Sequence, residues 1–355
     1  MIGSKVDESE KRISVGDLSE FVKLCLEAVG APEKVAEVEG AITAEVDLVG
    51  VHSHGVQLLP GLVEAIRDGQ VNPAPRLVVV AERPASVLYE VDRGIGRYVS
   101  AIAMDEAVAR ARKYGVGVVA VRGVGHWGRG YSYALRAARQ GMIGLAFTNA
   151  TANFPAWGTN LPSLGNNPLA IGIPAGTDAE PVVLDMAMTQ AAIRRIMDAA
   201  ESGDPVPVGW GLDEEGRATT DPRAILASRR FLPMGGHKGS SLAFVIELLT
   251  AGLTGGLLCF EQGKEGKPDD FHGASSKLLI AIEPFGLWLE TQARTLKDHL
   301  KSIPEAPEQG AVRWPGERGL LCKADYLQNG IPVRQPLLEE LQALGRELAV
   351  ALKLR

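Results

Sequence analysis

Imidazole gives and takes a proton near neutrality, so the histidines are where chemistry would start. His126 lies in Gly123-Val-Gly125-His-Trp-Gly128, between a strand pattern and a helix pattern. Glycines around it leave the ring accessible for catalysis; the plainer alternative is a ring that only holds its turn together. Val51-His52-Ser53-His54-Gly55 follows Asp47. Two histidines at this spacing share a face of an extended segment, which suits a metal. No H-E-x-x-H and no carboxylate cluster accompanies them, so His54 is the working residue expected, with Ser53 as a cap and His52 packed. Met234-Gly-Gly-His237-Lys238-Gly-Ser240 opens a long apolar segment. Its backbone N–H groups and the Lys238 ammonium suit a phosphate, although the P-loop spacing fails. Thr148-Asn149-Ala150 and Gly165-Asn-Asn-Pro168 are amide-rich loops at strand ends, where α/β proteins bind ligands. Trp314-Pro315-Gly316-Glu317 is a turn whose carboxylate could hold a ribose.

The elements that must position these residues follow from periodicity. Helices are expected from Ser14 to Gly30, after Pro32, and near Pro60–Ile66. Strands are expected at Leu77–Val80, Ser86–Tyr89, Val116–Val121, Ile143–Phe147, Leu169–Ile173 and Val182–Leu184. Helices are expected at Ala101–Tyr114, Tyr131–Gln140 and Leu337–Leu352. Strand–helix alternation in the middle of the chain indicates a layered α/β domain. Gly123 to Gly128 fits the dinucleotide fingerprint by pattern, but the acid required about 20 residues later is missing, so a Rossmann site is not expected.

The chain has 355 residues, 46% hydrophobic and 23% charged, which is globular and long enough for two or three domains. A net charge of −6 and 5% aromatic residues give no support to a nucleic-acid partner. The first residues are too charged for a signal peptide. Glu247 and Gly255-Gly256 interrupt the apolar run Leu242–Phe260, which reads as a buried or interface helix and not a membrane span. Cys25, Cys259 and Cys322 form no C-x-x-C, so a reducing, cytoplasmic location is expected. From Ala107 to Thr177 there is no Asp or Glu, but Arg110, Arg112, Lys113, Arg122, Arg129, Arg136 and Arg139 all occur. That segment is expected to meet an anion, or else an acidic region of the same fold.

Taken in order, the motifs resemble the second type of malate/L-lactate dehydrogenases. They are S-H-G at Ser53, G-Q-V-N-P at Gly69, G-H-W-G at Gly125, G-M-I-G at Gly141, T-N-A at Thr148 and P-A-W-G at Pro155. G-N-N-P at Gly165, V-L-D-M-A at Val183, G-W-G-L-D at Gly209, T-T-D-P at Thr219, P-M-G-G-H-K-G at Pro233 and P-G-E at Pro315 follow. The resemblance spans roughly Ser14 to Leu348. It implies a non-Rossmann α/β cofactor-binding domain, residues 76–285, and a mainly helical domain built from residues 1–75 and 286–355. It also implies NAD(P)-dependent hydride transfer at the alpha carbon of a 2-hydroxy or 2-oxo acid, or of a related imine, in a homodimer. NAD or NADP would be held by Asp185, Met186, Ala187, Met188, Thr189, His237, Lys238, Pro315, Gly316 and Glu317. His54 and His126 match the family's catalytic histidines, one exchanging the proton and the other orienting the substrate. Ser53, Arg129 and Asn149 are the expected substrate contacts.

Three positions depart from the family pattern. The arginine of S-H-G-x-x-R, which would clamp a carboxylate, is Leu58 here; Leu62 stands where an aromatic or polar residue is common; and G-T-N-P has become G-N-N-P. Either another cation serves, Arg129 being the expected one, or the substrate carries no carboxylate there. Two other classes compete: a cofactor-binding protein without turnover, and a metal-dependent hydrolase using Asp47, His52 and His54.

Overall fold

A computed structural model describes residues 11–176, 179–306 and 310–355. The strand β1 (Lys11–Ile13) leads into the helices α1 (Val15–Ala28), α2 (Glu33–Leu48) and α3 (Leu59–Arg67). Ser14 caps α1 by accepting the Asp17 N–H at 3.0 Å, and α1 buries Leu18, Phe21, Val22, Cys25 and Leu26. Next come β2 (Val78–Arg83), β3 (Ser86–Gly94), α4 (Gly96–Tyr114), β4 (Val116–Val124), α5 (Gly130–Ala138) and β5 (Ile143–Thr148). A small ribbon, β6 (Phe154–Pro155) with β7 (Pro162–Leu164), precedes β8 (Leu169–Ile173) and β9 (Val182–Met186). After α6 (Ile193–Ser202), a second ribbon of β10 (Gly211–Leu212) and β11 (Arg230–Phe231) flanks α7 (Pro222–Ser228). The chain ends with α8 (His237–Glu247), β12 (Ser275–Ile282), α9 (Trp288–Ser302), α10 (Glu317–Asn329), β13 (Ile331–Val333) and α11 (Gln335–Glu347).

Seven strands form the central sheet in the order β2-β3-β4-β12-β5-β8-β9. Only β3 and β4 run parallel; the other neighbours are antiparallel. This is an α/β fold but not a doubly wound Rossmann sheet, as expected. β12, which the sequence reading did not anticipate, fills the middle of the sheet. Helix α4 starts at Gly96, ahead of the expected Ala101, and stops at Gly115, whose φ of +80° breaks the helix. It lies on β4 so closely that a Cβ at Gly117 would overlap the Ala107 carbonyl.

One apolar cluster joins Ile13, Leu18, Phe21, Leu26 and Val63 to Ile331, Leu338 and Leu341, tying the two ends of the chain together. A second lies around the sheet and includes Met104, Val119, Tyr133 and Leu279. A third, around Phe154, Met188, Ile196 and Ile225, had no counterpart in the sequence reading.

The apolar run Leu242–Phe260 begins in α8 and passes through one π-helical turn at Leu248–Gly252. Leu242, Phe244, Val245, Leu248 and Leu253 are all exposed, so the outer side of this helix is an open apolar face. Glu247 interrupts the run for a structural reason. Its buried carboxylate accepts from Asn149 Nδ2 at 3.0 Å, Asn167 Nδ2 at 2.8 Å and the Cys259 N–H at 2.8 Å. Among the described residues no helix is long and apolar enough to cross a membrane.

The acid-free segment resolves as the second alternative for most of its cations. Arg110 pairs with Glu82 and Glu106, Arg122 with Glu90, Arg129 with Asp185, Arg136 with Asp105 and Arg139 with Glu45. The missing acids are supplied by neighbouring parts of the fold.

Candidate active site

The Ser53–Gly55 turn is built from the end of α2. Asp47, in its last turn, is 1% exposed. One carboxylate oxygen accepts the Val56 N–H at 2.7 Å, and the other lies 2.9 Å from His52 Nδ1. A Cβ at Gly55 would overlap this carboxylate, so glycine is required there. His52 stacks on Tyr326, with centroids 5.9 Å apart. Asp47 and His52 thus shape the turn, while Ser53 Oγ and His54 Nδ1 lie 2.9 Å apart.

His126 follows β4 in a loop held from both sides. The Gly125 N–H donates to Gly94 O at 2.9 Å, and Gly96 abuts the His126 carbonyl without room for a Cβ. The Gly128 N–H donates to His126 Nδ1 at 3.2 Å, which leaves the proton of the neutral ring on Nε2. The two turns bring the histidines together, with His54 and His126 centroids 5.9 Å apart and the rings tilted by 32°. Phe271 flanks His126, also at 5.9 Å. Burial, then the positive charge of Arg129, pushes His54 down to about 4, with Asp185 opposing. His126 lies well below its ordinary value, first through burial and then through His54, Arg97 and Lys277. Both rings are therefore neutral at pH 7.

Lys277 and Arg97 were missed by the sequence reading. Lys277, in β12, is 1% exposed; its Nζ donates to Gly125 O at 3.0 Å and lies 5.5 Å from the Trp127 ring centroid. Burial pushes this ammonium down to about 7, against the attraction of Asp270. Arg97, in the first turn of α4, is 3% exposed and donates to His54 O at 3.0 Å. The available signal was a lone charge at a position that the apolar pattern assigns to the interior.

One small space adjoins His126, and a larger one reaches Ser53, the neighbour of His54. A narrow hollow of about 10 Å³, enough for one water-sized group, is lined by His126, Arg97, Leu58, Leu62, Val71 and Phe271. A larger cavity of about 930 Å³ is lined by Ser53, Arg129, Asp185 and the Pro315–Gly316 turn. Arg195 and Arg318 also line it and have no ion-pair partner among the described residues.

Such an assembly of paired neutral imidazoles beside a cation-lined cavity can be compared with known proteins. The sequence profile of the malate/L-lactate dehydrogenases matches residues 13–342. The chain belongs to this family. It is 32% identical over 354 residues to a malate dehydrogenase of Pyrococcus abyssi, covering 97% of each chain. It is 35% identical to a (2R)-3-sulfolactate dehydrogenase (NADP(+)) of Chromohalobacter salexigens, covering 94% of this chain and 98% of the relative. The solved sulfolactate dehydrogenase of Methanocaldococcus jannaschii superimposes with a TM-score of 0.88 at 30% identity, covering 96% of this chain and 98% of the other. As a member of the family, the protein is an oxidoreductase acting on CH–OH or C=N groups.

Within this dehydrogenase framework the expected site residues separate into groups. His54 and His126 face each other, while Ser53, Arg129, Asp185, Pro315 and Gly316 share the larger cavity. Met186, Ala187, Met188 and Thr189 continue β9 to the Pro233 turn; Met188 exchanges backbone hydrogen bonds with Asn166 and Met234, and Thr189 bridges to Pro233. His237 and Lys238 lie exposed beyond that turn, with His237 against Trp157. Glu317 pairs with Lys301 at 2.6 Å and does not line the cavity. Asn149 departs from expectation. It is 1% exposed and its amide is consumed inside the protein, by Glu247, the Leu257 carbonyl and the Ser276 N–H. Arg129 lines the larger cavity with its Nε bound to Asp185 at 2.7 Å, while the cation sharing the narrow hollow with Leu58 is Arg97.

Proposed function

We propose that the protein transfers a hydride between NAD or NADP and the alpha carbon of a 2-hydroxy or 2-oxo acid, or of a related imine. The observation that carries this reading is the meeting of His54 and His126, from separate segments, with His54 one residue from Ser53 on the wall of a cavity large enough for a dinucleotide. The fit of the cofactor rests on the lining: Arg195 and Arg318 offer uncommitted charge for phosphates, and Gly316, at φ +94°, lets its turn approach Val183 closely. Names among the relatives agree, including an NADP-dependent sulfolactate dehydrogenase and a Δ1-pyrroline-2-carboxylate/Δ1-piperideine-2-carboxylate reductase of Pseudomonas syringae pv. tomato. When bound, the nicotinamide supplies or accepts the hydride.

The chain's own residues manage the proton. His126, with Nδ1 occupied, presents an Nε2 donor that orients the substrate oxygen or nitrogen. In its Nδ1–H tautomer His54 donates a hydrogen bond to Ser53 Oγ and keeps that proton, which leaves the Nε2 lone pair to take the hydroxyl proton during oxidation. A ring pushed down to about 4 is in the base form at neutral pH. Asp47 and Arg97 hold the His54 turn, and Lys277 holds Gly125.

A homodimer is part of the reading, supported by the open apolar face of α8. So is a division in which the helical part, residues 1–75 and 286–355, carries His54, and residues 76–285 carry His126. The three free cysteines suit a reducing cytoplasm.

The test is a panel of 2-oxo acids, cyclic imines and 2-hydroxy acids followed by NAD(P)H absorbance. His54→Ala and His126→Ala should each lower kcat about 100-fold with cofactor binding intact. Turnover unchanged in both would reject the mechanism, and a panel without any turnover would favour a cofactor-binding protein. Lys238→Ala should raise the cofactor Kd about tenfold in a fluorescence titration; an unaltered Kd removes this lysine from the phosphate site.

A further inference from the structure

Leu58 removes a cation from the substrate side of the site, and the hollow behind it holds another. Arg97 is 3% exposed and lines that hollow beside His126. Two of its nitrogens are committed, Nη2 to His54 O at 3.0 Å and Nη1 to Glu39 Oε2 at a long 3.4 Å. Its Nε is fully buried with no acceptor at all. An orphaned guanidinium N–H is costly, and in the interior it calls for an oxygen. The hollow that Arg97 lines has room for one such atom, and on its other approach the nitrogen is bordered by Gly128, which carries no side chain and stands outside the hollow's lining. The remaining walls, Leu58, Leu62, Val71 and Phe271, offer nothing to a second charge.

We propose that Arg97 receives a carboxylate oxygen of the substrate in place of the arginine absent at position 58, and that the apolar walls restrict the substrate to a single carboxylate. The substrates are then 2-oxo, 2-hydroxy or imino monocarboxylates, and dicarboxylates are disfavoured because a second carboxylate would be desolvated without a partner. This rests on the hydride-transfer reading.

Oxamate, an unreactive carboxylate probe, separates binding from turnover. Calorimetry should show it binding the wild type, about tenfold more weakly to Arg97→Lys, which loses the Nε donor, and undetectably to the double variant Arg97→Gln with Glu39→Gln. The double change removes the buried acid together with its partner, and circular dichroism checks its fold. An unchanged Kd in the folded double variant, or no binding to the wild type, overturns the proposal. Should the double variant not fold, Leu58→Arg decides. Wild type should prefer 2-oxobutanoate to oxaloacetate by about tenfold in kcat/KM, and Leu58→Arg should reverse that order. An order that is the same in both proteins overturns the proposal. If no panel compound consumes NAD(P)H, the hydride-transfer reading fails, while oxamate binding still reports on Arg97.

Discussion

At the scale of single residues, the structure withholds charge from the buried groups around the paired histidines. His54 and His126 are kept neutral by burial and by nearby cations, and Lys277 sits under the His126 loop with its proton loosely held. The lysine allows a sharp check. Unfolded, it keeps its proton up to about 10.5; folded, it releases it near 7. The unfolded chain therefore binds more protons between these values, and stability rises with pH across that interval. Lys277→Met should flatten this rise in melting temperature between pH 7 and 10. A variant that keeps the full alkaline gain would show that the ammonium is not the group responsible.

At the scale of elements, motifs and positions were legible to different degrees. The helices at Ser14 and Pro32, and the strands at Ile143 and Leu169, were readable because each carries one period and a clear stop. The glycine-marked turns of His54 and His126 were readable as candidates, and the structure brings the two ring centroids to 5.9 Å; that both rings are largely buried was not readable. β12 was not, because Lys277 breaks its apolar run and its partners lie far away in sequence. Asn149 misled for a related reason: an amide at a strand end reads the same whether it meets a ligand or a buried carboxylate. Glu247 is that carboxylate, and it ties α8 to the loops at Asn149, Asn167 and Cys259. Glu247→Gln replaces one acceptor oxygen by a donor facing donors, so it should cost about 2–3 kcal/mol in urea denaturation. A cost below about 0.5 kcal/mol would mean that these loops hold without it.

At the scale of the whole molecule, α8 and its π-helical turn expose Leu242, Phe244, Val245, Leu248 and Leu253, and the edge strand β2 exposes Val78, Val79 and Val80. Monomers rarely leave contiguous apolar patches of this kind. The homodimer proposed above would use this face, so Phe244→Glu together with Leu248→Glu should give a monomer in sedimentation where the unchanged protein gives a dimer, at no cost to helicity, since both side chains already face solvent. A dimer that persists would place the interface elsewhere.

The position of β12 bears on how the molecule comes into being. β4 and β5 leave the ribosome long before the strand that must lie between them, so each can pair on its other side, with β3 and β8, but keeps one border unpaired in the nascent chain. Until Ser275–Ile282 is made, two raw strand borders stay open to stray pairing, and the closing of the sheet becomes a late, long-range event of biosynthesis. A chain released just short of that segment would leave the loop of His126 without the floor that Lys277 provides.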